Sequence, residues 1–419
     1  MTGVAASRID RPNGSDVATA RATARTGWRM VALATLAQNF ALGLSFGSLG
    51  PLMKSFETEF HTGRGLVSTA AGLLFLALSI LSPLLGARLN RVRLRYVMCL
   101  GGLLSALGYF GLTVVTGIYE VLAIYAFLIG PGICLLGYLP ASTLVSNWFA
   151  GNRGKALGIV NMTIVLFFFP PILARVVDAE GMRAAFLVIA GLYLAASVLM
   201  LLVIDRPAGS GCAAGPAVAV RPAQLTTGAI LHTRAFWALS LGVGILTGAG
   251  STITVHIIPL ATGRGFSLEA SSLLLSAYAG AGLLGTVIFG ALSDRIGSRT
   301  TLVINGVAQI ALWLLLLPAL GYVPLIVIVA LIGICSVAIL TLHSAAISEI
   351  FGQDNVAAVL GLSYVPKVVF IFGSAPLAGF LYDFTGGYDV AILVHIACFV
   401  FATLGFVLLP GRVTGSARR

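Results

Sequence analysis

Residues 290–299 read GALSDRIGSR, and residues 86–95 read GARLNRVRLR. Gly86 aligns with Gly290, Ala87 with Ala291, Arg91 with Arg295 and Arg95 with Arg299, and Asn90 stands where Asp294 stands. Every pair is separated by the same 204 positions, about half of the 419-residue chain. Each segment is a short basic loop between two long apolar runs. An echo at half-chain distance is what two repeated helical halves leave in a sequence. Gly290 allows close approach of two helix ends, and Asp294, Arg295 and Arg299 can tie neighbouring ends by charge-assisted hydrogen bonds.

The surrounding composition states the solvent. Hydrophobic residues make up 58% of the chain and charged residues 9%, with a mean hydropathy of +1.02. An ordinary soluble domain carries roughly 25% charged residues. In lipid every backbone N–H and C=O is paired internally, which leaves helix bundles or closed barrels. The apolar runs are about 20 residues long and lack the polar alternation of a barrel strand, so the spans are helices. The polar breaks predict spans near 29–52, 66–87, 95–115, 121–147, 155–176 and 184–204 in the first half. In the second half they predict 235–260, 269–291, 300–319, 323–348, 356–381 and 389–409. The chain thus reads as an all-α membrane protein with twelve transmembrane helices in two six-helix pseudo-repeat bundles, 29–204 and 235–410. A disordered tail over 1–28, a Pro- and Gly-rich linker over 205–234 and a short tail over 411–419 complete the division.

The net charge of +11 would suggest nucleic acid in a soluble protein, but here the Arg residues cluster between apolar runs. With the amino terminus inside, 19 of the 25 Lys and Arg fall on the inner side, five fall outside, and Lys367 is the remainder. The positive-inside rule therefore predicts two cytosolic termini and a multi-pass protein of the cell (inner) membrane. Cys99, Cys134, Cys212, Cys335 and Cys398 are odd in number and form no CxxC, so they read as packing residues rather than disulfide or metal partners. No P-loop, H-E-x-x-H or G-x-S-x-G pattern occurs, and neither a cofactor nor an enzyme is expected.

Residues 290–299 closely resemble the loop motif of the major facilitator superfamily. Residues 86–95 resemble it less, with Asn90 where an acidic residue is expected. The resemblance extends from about Trp28 to Arg412 and implies the major facilitator fold, a central site and a latch of Gly290, Asp294, Arg295, Arg299, Asn90 and Arg91. The segment NWFAGNRGKALGI, 147–159, is similar to the loop between the fourth and fifth helices of the monocarboxylate and oxalate/formate branch. VHIIPLATGRGFS, 255–267, is similar to the end of that branch's seventh helix. The chain departs from the branch in the eighth span, 269–291, which holds no Arg or Asp.

A charge at the bilayer midplane costs at least about 2.5 kcal/mol on insertion scales and persists only with a partner or a purpose. Lys367 is such a residue, midway along the eleventh span with no Asp or Glu at comparable depth. Ser363, Phe370 and Ser374 share its face and Tyr364 borders it, a stripe expected to line an aqueous cavity. In the oxalate/formate branch a Lys of the eleventh helix binds the substrate carboxylate, and the resemblance gives Lys367 that role. His256 can donate to an anion or carry a proton, and Asn39, Tyr138, Asn161, Tyr278 and Tyr364 can hydrogen-bond the rest of it. His343 and His395 are the weaker histidines, one near the cytosolic end and one in a peripheral helix. The combined expectation is a monomeric secondary transporter of a small organic anion, a monocarboxylate above others, working by alternating access. Protons or a counter-transported anion are its coupling partners, with Lys367, His256 and the substrate itself as the titrating groups. An exporter of drugs, metabolites or other neutral or lipophilic solutes, and a non-transporting sensor on the same fold, are the alternatives.

Overall fold

The computed structural model describes residues 14–86, 89, 92–149, 153–162, 164–206 and 225–409. Among them all regular structure is helical. Ten helices meet the length and hydropathy of a membrane span. One of these, Ala156–Met200, is 45 residues long and crosses Gly181 at φ 81°, ψ 178°, a conformation no helix continues through. It is two spans. The helix Ser298–Leu314 falls just short at 17 residues but lies between two of the ten. Among the described residues twelve crossings result, the number that the polar breaks predict.

We number them in chain order. α1 comprises Gly14–Asn39, a π-helical turn Phe40–Leu44 and Ser45–Phe60. α2 is Arg64–Gly86, α3 Leu94–Gly111 and α4 Ile118–Trp148, itself interrupted by a π turn at Tyr125–Ile129. α5 and α6 are the arms of Ile164–Met200 on either side of Gly181. α7 is Arg234–Gly263, α8 Leu268–Ile296, α9 Ser298–Leu314, α10 Tyr322–Phe351, α11 Val356–Thr385 and α12 Asp389–Val407. Two hydrophobic cores form, one built mainly on the helices before residue 204 and one on those after 225.

Part of the segment expected as a disordered tail is helical. Residues 14–28 are helical and continuous with α1, because Ala-rich sequence extends a helix that the membrane-spanning part has already nucleated. Residues 1–13, most of the linker (207–224, including Cys212) and the tail 411–419 lie outside the described residues.

Four of the six residues read as a latch lie among the described residues. Asn90 and Arg91 lie outside the described residues. A Cβ on Gly290 of α8 would lie 3.9 Å from Thr341 Cγ2 of α10, an ordinary van der Waals contact. Asp294 and Arg295 are exposed, whereas Arg299 donates to the Val407 carbonyl at the end of α12. The acid that caps α9 is Glu349 of α10, which accepts from Ser298 N at 3.1 Å and Ser298 Oγ at 2.6 Å. In the first half the position 204 earlier is Leu94, and its N–H donates to Asp205 Oδ2 at 3.1 Å. Both halves satisfy the orphan N–H group at a helix start with an acid, Glu349 from within α10 and Asp205 from the segment that follows α6.

Candidate functional site

The two halves meet at one end of the bundle, the end that carries residues 61–63, 264–267 and 386–388. There α2 packs on α11 with no room for side chains at the crossing. A Cβ on Gly72 would lie 2.7 Å from the Phe372 carbonyl oxygen, and one on Gly379 2.7 Å from the Arg64 carbonyl oxygen. At the rim Asp383 of α11 reaches into the other half and caps α2. Its Oδ1 accepts from Arg64 N and its Oδ2 from Gly65 N, each at 2.9 Å. A carboxylate there also meets the positive end of the α2 dipole.

Arg64 is the hub of this closed face. Its guanidinium lies 3.8 Å from the centroid of the Tyr382 ring, and Nη1 donates to Tyr388 Oη at 3.0 Å. Nε is 2.9 Å from Glu57 Oε1, an ion pair without the alignment of a hydrogen bond. A separate ion pair, Arg175 with Glu269, crosses between the halves and joins α5 to α8. Burial pushes the Tyr388 phenol well above its ordinary value while the Arg64 charge pulls it down, so it remains a protonated donor at neutral pH.

His256 of α7 belongs to this closed face. Its Nε2 is 2.8 Å from the Ala375 carbonyl, which can only accept, and its Nδ1 is 2.9 Å from Tyr388 Oη. The neutral ring therefore carries its proton on Nε2, and Nδ1 accepts from Tyr388. Both nitrogens are occupied, and the ring links α7, α11 and the start of α12. Asp383→Ala should loosen the closed face by removing two cross-half bonds at a half-solvated site. We expect roughly a five- to tenfold shift toward the opposite-facing conformation. Thiol accessibility of a cysteine placed at Ser68 measures it, and unchanged accessibility would refute the capping role.

Asn39 holds helices together. Its Nδ2 donates to Thr35 O at 2.9 Å, and its Oδ1 accepts from Val165 N at 3.0 Å, an orphan N–H in the first turn of α5. The π turn that follows presents the Phe40 carbonyl to Tyr193 Oη, which donates at 2.9 Å. Asn161 is exposed and donates to Leu157 O of its own helix. Tyr278 is buried in the α8–α10 contact, where a Cβ on Gly333 would collide with its carbonyl oxygen.

Lys367 is buried to 1% exposure, and its surroundings correct the expected aqueous stripe. Ser363 is buried with its hydroxyl on Leu360 O of its own helix, and Lys367, Phe370 and Ser374 pack against α7. Gly244 and Gly248 allow this, since a Cβ on Gly248 would stand 2.6 Å from the Phe370 carbonyl oxygen and one on Gly244 3.1 Å from Lys367 Cγ. Small residues four apart let two membrane helices close on one another. Ser374 then bonds His395 Nε2 at 2.9 Å and receives from Thr252 Oγ1 at 3.0 Å, inside the second bundle.

The ammonium itself has two neighbours. Lys367 Nζ lies 3.4 Å from His343 Nδ1 of α10 and 4.1 Å from the centroid of the Tyr364 ring. Among the described residues no carboxylate pairs with it. Tyr364 is 47% exposed and Tyr138 of α4 is 56% exposed, and the two are within electrostatic reach of each other. The ring that contacts the ammonium is thus itself about half exposed. His343 was legible only as a weak histidine, because nothing in its own helix marks it. Lys367 on α11 brings it into play.

Comparison with known proteins places these features in a family. The model of the Major Facilitator Superfamily matches residues 35–365 and 241–419. The chain is 25% identical over 383 residues to an uncharacterized MFS-type transporter, YcxA of Bacillus subtilis (strain 168), covering 88% of this chain and 91% of that one. It is 26% identical over 395 residues to monocarboxylate transporter 13 of Rattus norvegicus, covering 92% and 89% respectively. Among solved structures, a bacterial homolog of the human lysosomal transporter Spinster, inward-facing and unoccupied, superposes with a TM-score of 0.72 at 14% identity. That alignment covers 92% of this chain and 97% of the other. A variant of the nucleoside transporter NupG superposes at 0.73 with 13% identity, covering 91% and 99%. These relatives are transporters and not enzymes, with a small-molecule substrate and the lipid bilayer as partners. With two six-helix halves, an echoed loop and a family match over nearly its whole length, this multi-pass membrane protein belongs to the major facilitator superfamily.

Proposed function

We propose that the protein is a secondary active transporter of small organic anions, monocarboxylates above others, that works by alternating access. The observation that carries this reading is Lys367, a fully buried ammonium facing a neutral histidine and an aromatic ring with no described carboxylate beside it. A buried cation without a counter-ion is costly, and a carboxylate substrate supplies the missing partner. Its three N–H groups also exceed the acceptors around it. The similarity to monocarboxylate transporter 13 supports the same substrate class. Of the residues read from sequence, Lys367 binds the anion and Tyr364 and Tyr138 control its approach. His256 is assigned to the closed face and Asn39 to the α1–α5 tie.

The basic residues orient the protein with both termini in the cytosol, so the closed face is extracellular and the conformation inward-facing. Cysteines introduced at 88–94 and 205–230 should then react only from the cytosol. Labelling of either segment by an impermeant reagent in intact cells reverses the orientation.

The substrate class is tested in proteoliposomes with radiolabelled acetate, L-lactate, pyruvate and benzoate at two external pH values. Uptake of at least one is expected to rise as external pH falls, and Lys367→Gln should remove it. Uptake of none of the four, beside transport of a neutral solute by the same vesicles, would sink the anion reading.

A further inference from the structure

The geometry points to His343 as the proton-binding partner of Lys367, so that one proton and one monocarboxylate enter the same buried site together. This inference rests on the anion reading above and assigns its coupling.

His343 is 1% exposed, its Nδ1 faces Lys367 Nζ at 3.4 Å, and its Nε2 has no hydrogen-bond partner among the described residues. An ammonium only donates, so Nδ1 accepts and the neutral ring carries its proton on Nε2. The empty site therefore holds one charge on two basic groups. Adding a second proton would set two cations side by side in a low-dielectric interior, which is strongly unfavourable. A carboxylate changes both conditions. It accepts hydrogen bonds from Lys367 Nζ, drawing the ammonium off Nδ1, and it cancels one positive charge. Nδ1 is then free to take a proton from the aqueous side that the transporter faces.

The charges balance. The empty site is Lys367 ammonium with neutral His343, net +1. The loaded site is ammonium, imidazolium and carboxylate, again net +1. No charge moves per cycle with a monocarboxylate, and one proton accompanies each anion. Release of the anion returns the ammonium to Nδ1 and expels the proton on the same side.

The groups around His343 leave it this role. α11 presents Lys367, whose Nζ faces the imidazole at 3.4 Å. Tyr278 of α8 sits beside Gly333 and Ser336, about two turns of α10 away. α7 offers Gly244 at this level. Glu349 lies further along α10, about 9 Å toward its C-terminal end, and its carboxylate is engaged by Ser298 N and Oγ at the start of α9. His256 and His395 are excluded because both their ring nitrogens are engaged: His256 by Tyr388 and Ala375, His395 by Ser374, Thr252 and Ala391.

The test uses the purified full chain in proteoliposomes and the four monocarboxylates named above. Two readouts are separated: counterflow of labelled for unlabelled anion at equal pH, and uphill accumulation under an inward proton gradient. Wild type is expected to accumulate up to about tenfold per pH unit, the limit for one proton per anion. His343→Gln keeps an acceptor for Lys367 and a donor in place of Nε2 but cannot titrate. It should retain counterflow within about threefold and lose accumulation, while Lys367→Gln loses both. Accumulation by His343→Gln at wild-type level places the proton elsewhere and overturns the inference while leaving the anion reading standing. Loss of counterflow together with accumulation, in a variant that still melts cooperatively, makes His343 a positioning residue and also overturns it. Failure of wild type to take up any of the four removes the anion reading and this inference with it. Should His343→Gln not fold, His343→Asn and the wild-type ratio decide: a substrate-dependent current, or a proton-to-anion ratio away from one, refutes the assignment.

Discussion

Lys367→Gln is expected to lower monocarboxylate uptake by about 100-fold or more while leaving the protein as stable as wild type, or more so. The direction of each half follows from burial. Charge-assisted hydrogen bonds from an ammonium to a carboxylate in a desolvated site contribute about 3 kcal/mol, and about 1.4 kcal/mol is tenfold. Stability moves the other way, because Lys367 is 1% exposed and its ammonium has only His343 and the Tyr364 ring among the described residues to compensate its desolvation. Replacing an uncompensated buried charge with a neutral group removes a penalty. A Lys kept for packing predicts the reverse: reduced thermal stability with transport following it down. Lys367→Arg should transport poorly as well. Its larger planar fork must fit where Gly244 already stands close to the Lys stem, and it remains charged at all relevant pH. Uptake and melting temperature measured on the same preparations separate the two cases. Wild-type uptake by Lys367→Gln would end the anion assignment.

Gly72→Leu is expected to have the largest effect on conformation. The added Cβ would lie 2.7 Å from the Phe372 carbonyl oxygen, and that atom belongs to a helix backbone that cannot rotate away. The remaining Leu atoms would separate α2 from α11 along the seam that closes this face. Overpacking of this kind commonly costs about 1–3 kcal/mol, and here the opposite-facing conformation relieves it at once. The closed population should therefore fall by about 10- to 100-fold. The cross-half bonds of Asp383 and Arg64 would be lost with it. Spin-label distances between the rim ends of α2 and α11 report the change, alongside transport rates. A distance distribution identical to wild type would show that the seam does not hold the conformation.

The weight of the polar residues shifted most between sequence and structure. His256 reads in sequence as an isolated buried donor, equally suited to an anion or to a structural bond. In the fold it meets Tyr388, which no motif marks, so its role depends on a contact between α7 and the α11–α12 turn. Asn39 reads as an amide in an apolar run, and only the first turn of α5 reveals the N–H it satisfies. His343 gained most, because its partner Lys367 lies on another helix, 24 positions away.

The sequence by itself determined the solvent, the helix class, the two-half architecture and the place of Lys367. Those follow from hydropathy, from the echo at a fixed 204-residue offset and from the cost of a charge at mid-depth, all of which are local or periodic properties. Tertiary structure alone decided which side chains meet. Arg64, Glu57, Asp383 and Tyr388 join at one rim, Glu349 caps the start of α9, and Lys367, Phe370 and Ser374 pack against α7. The physical reason is that helix–helix contacts in lipid depend on rotation and close approach at small residues, and the hydropathy of a uniformly apolar helix carries no signal of which face turns inward.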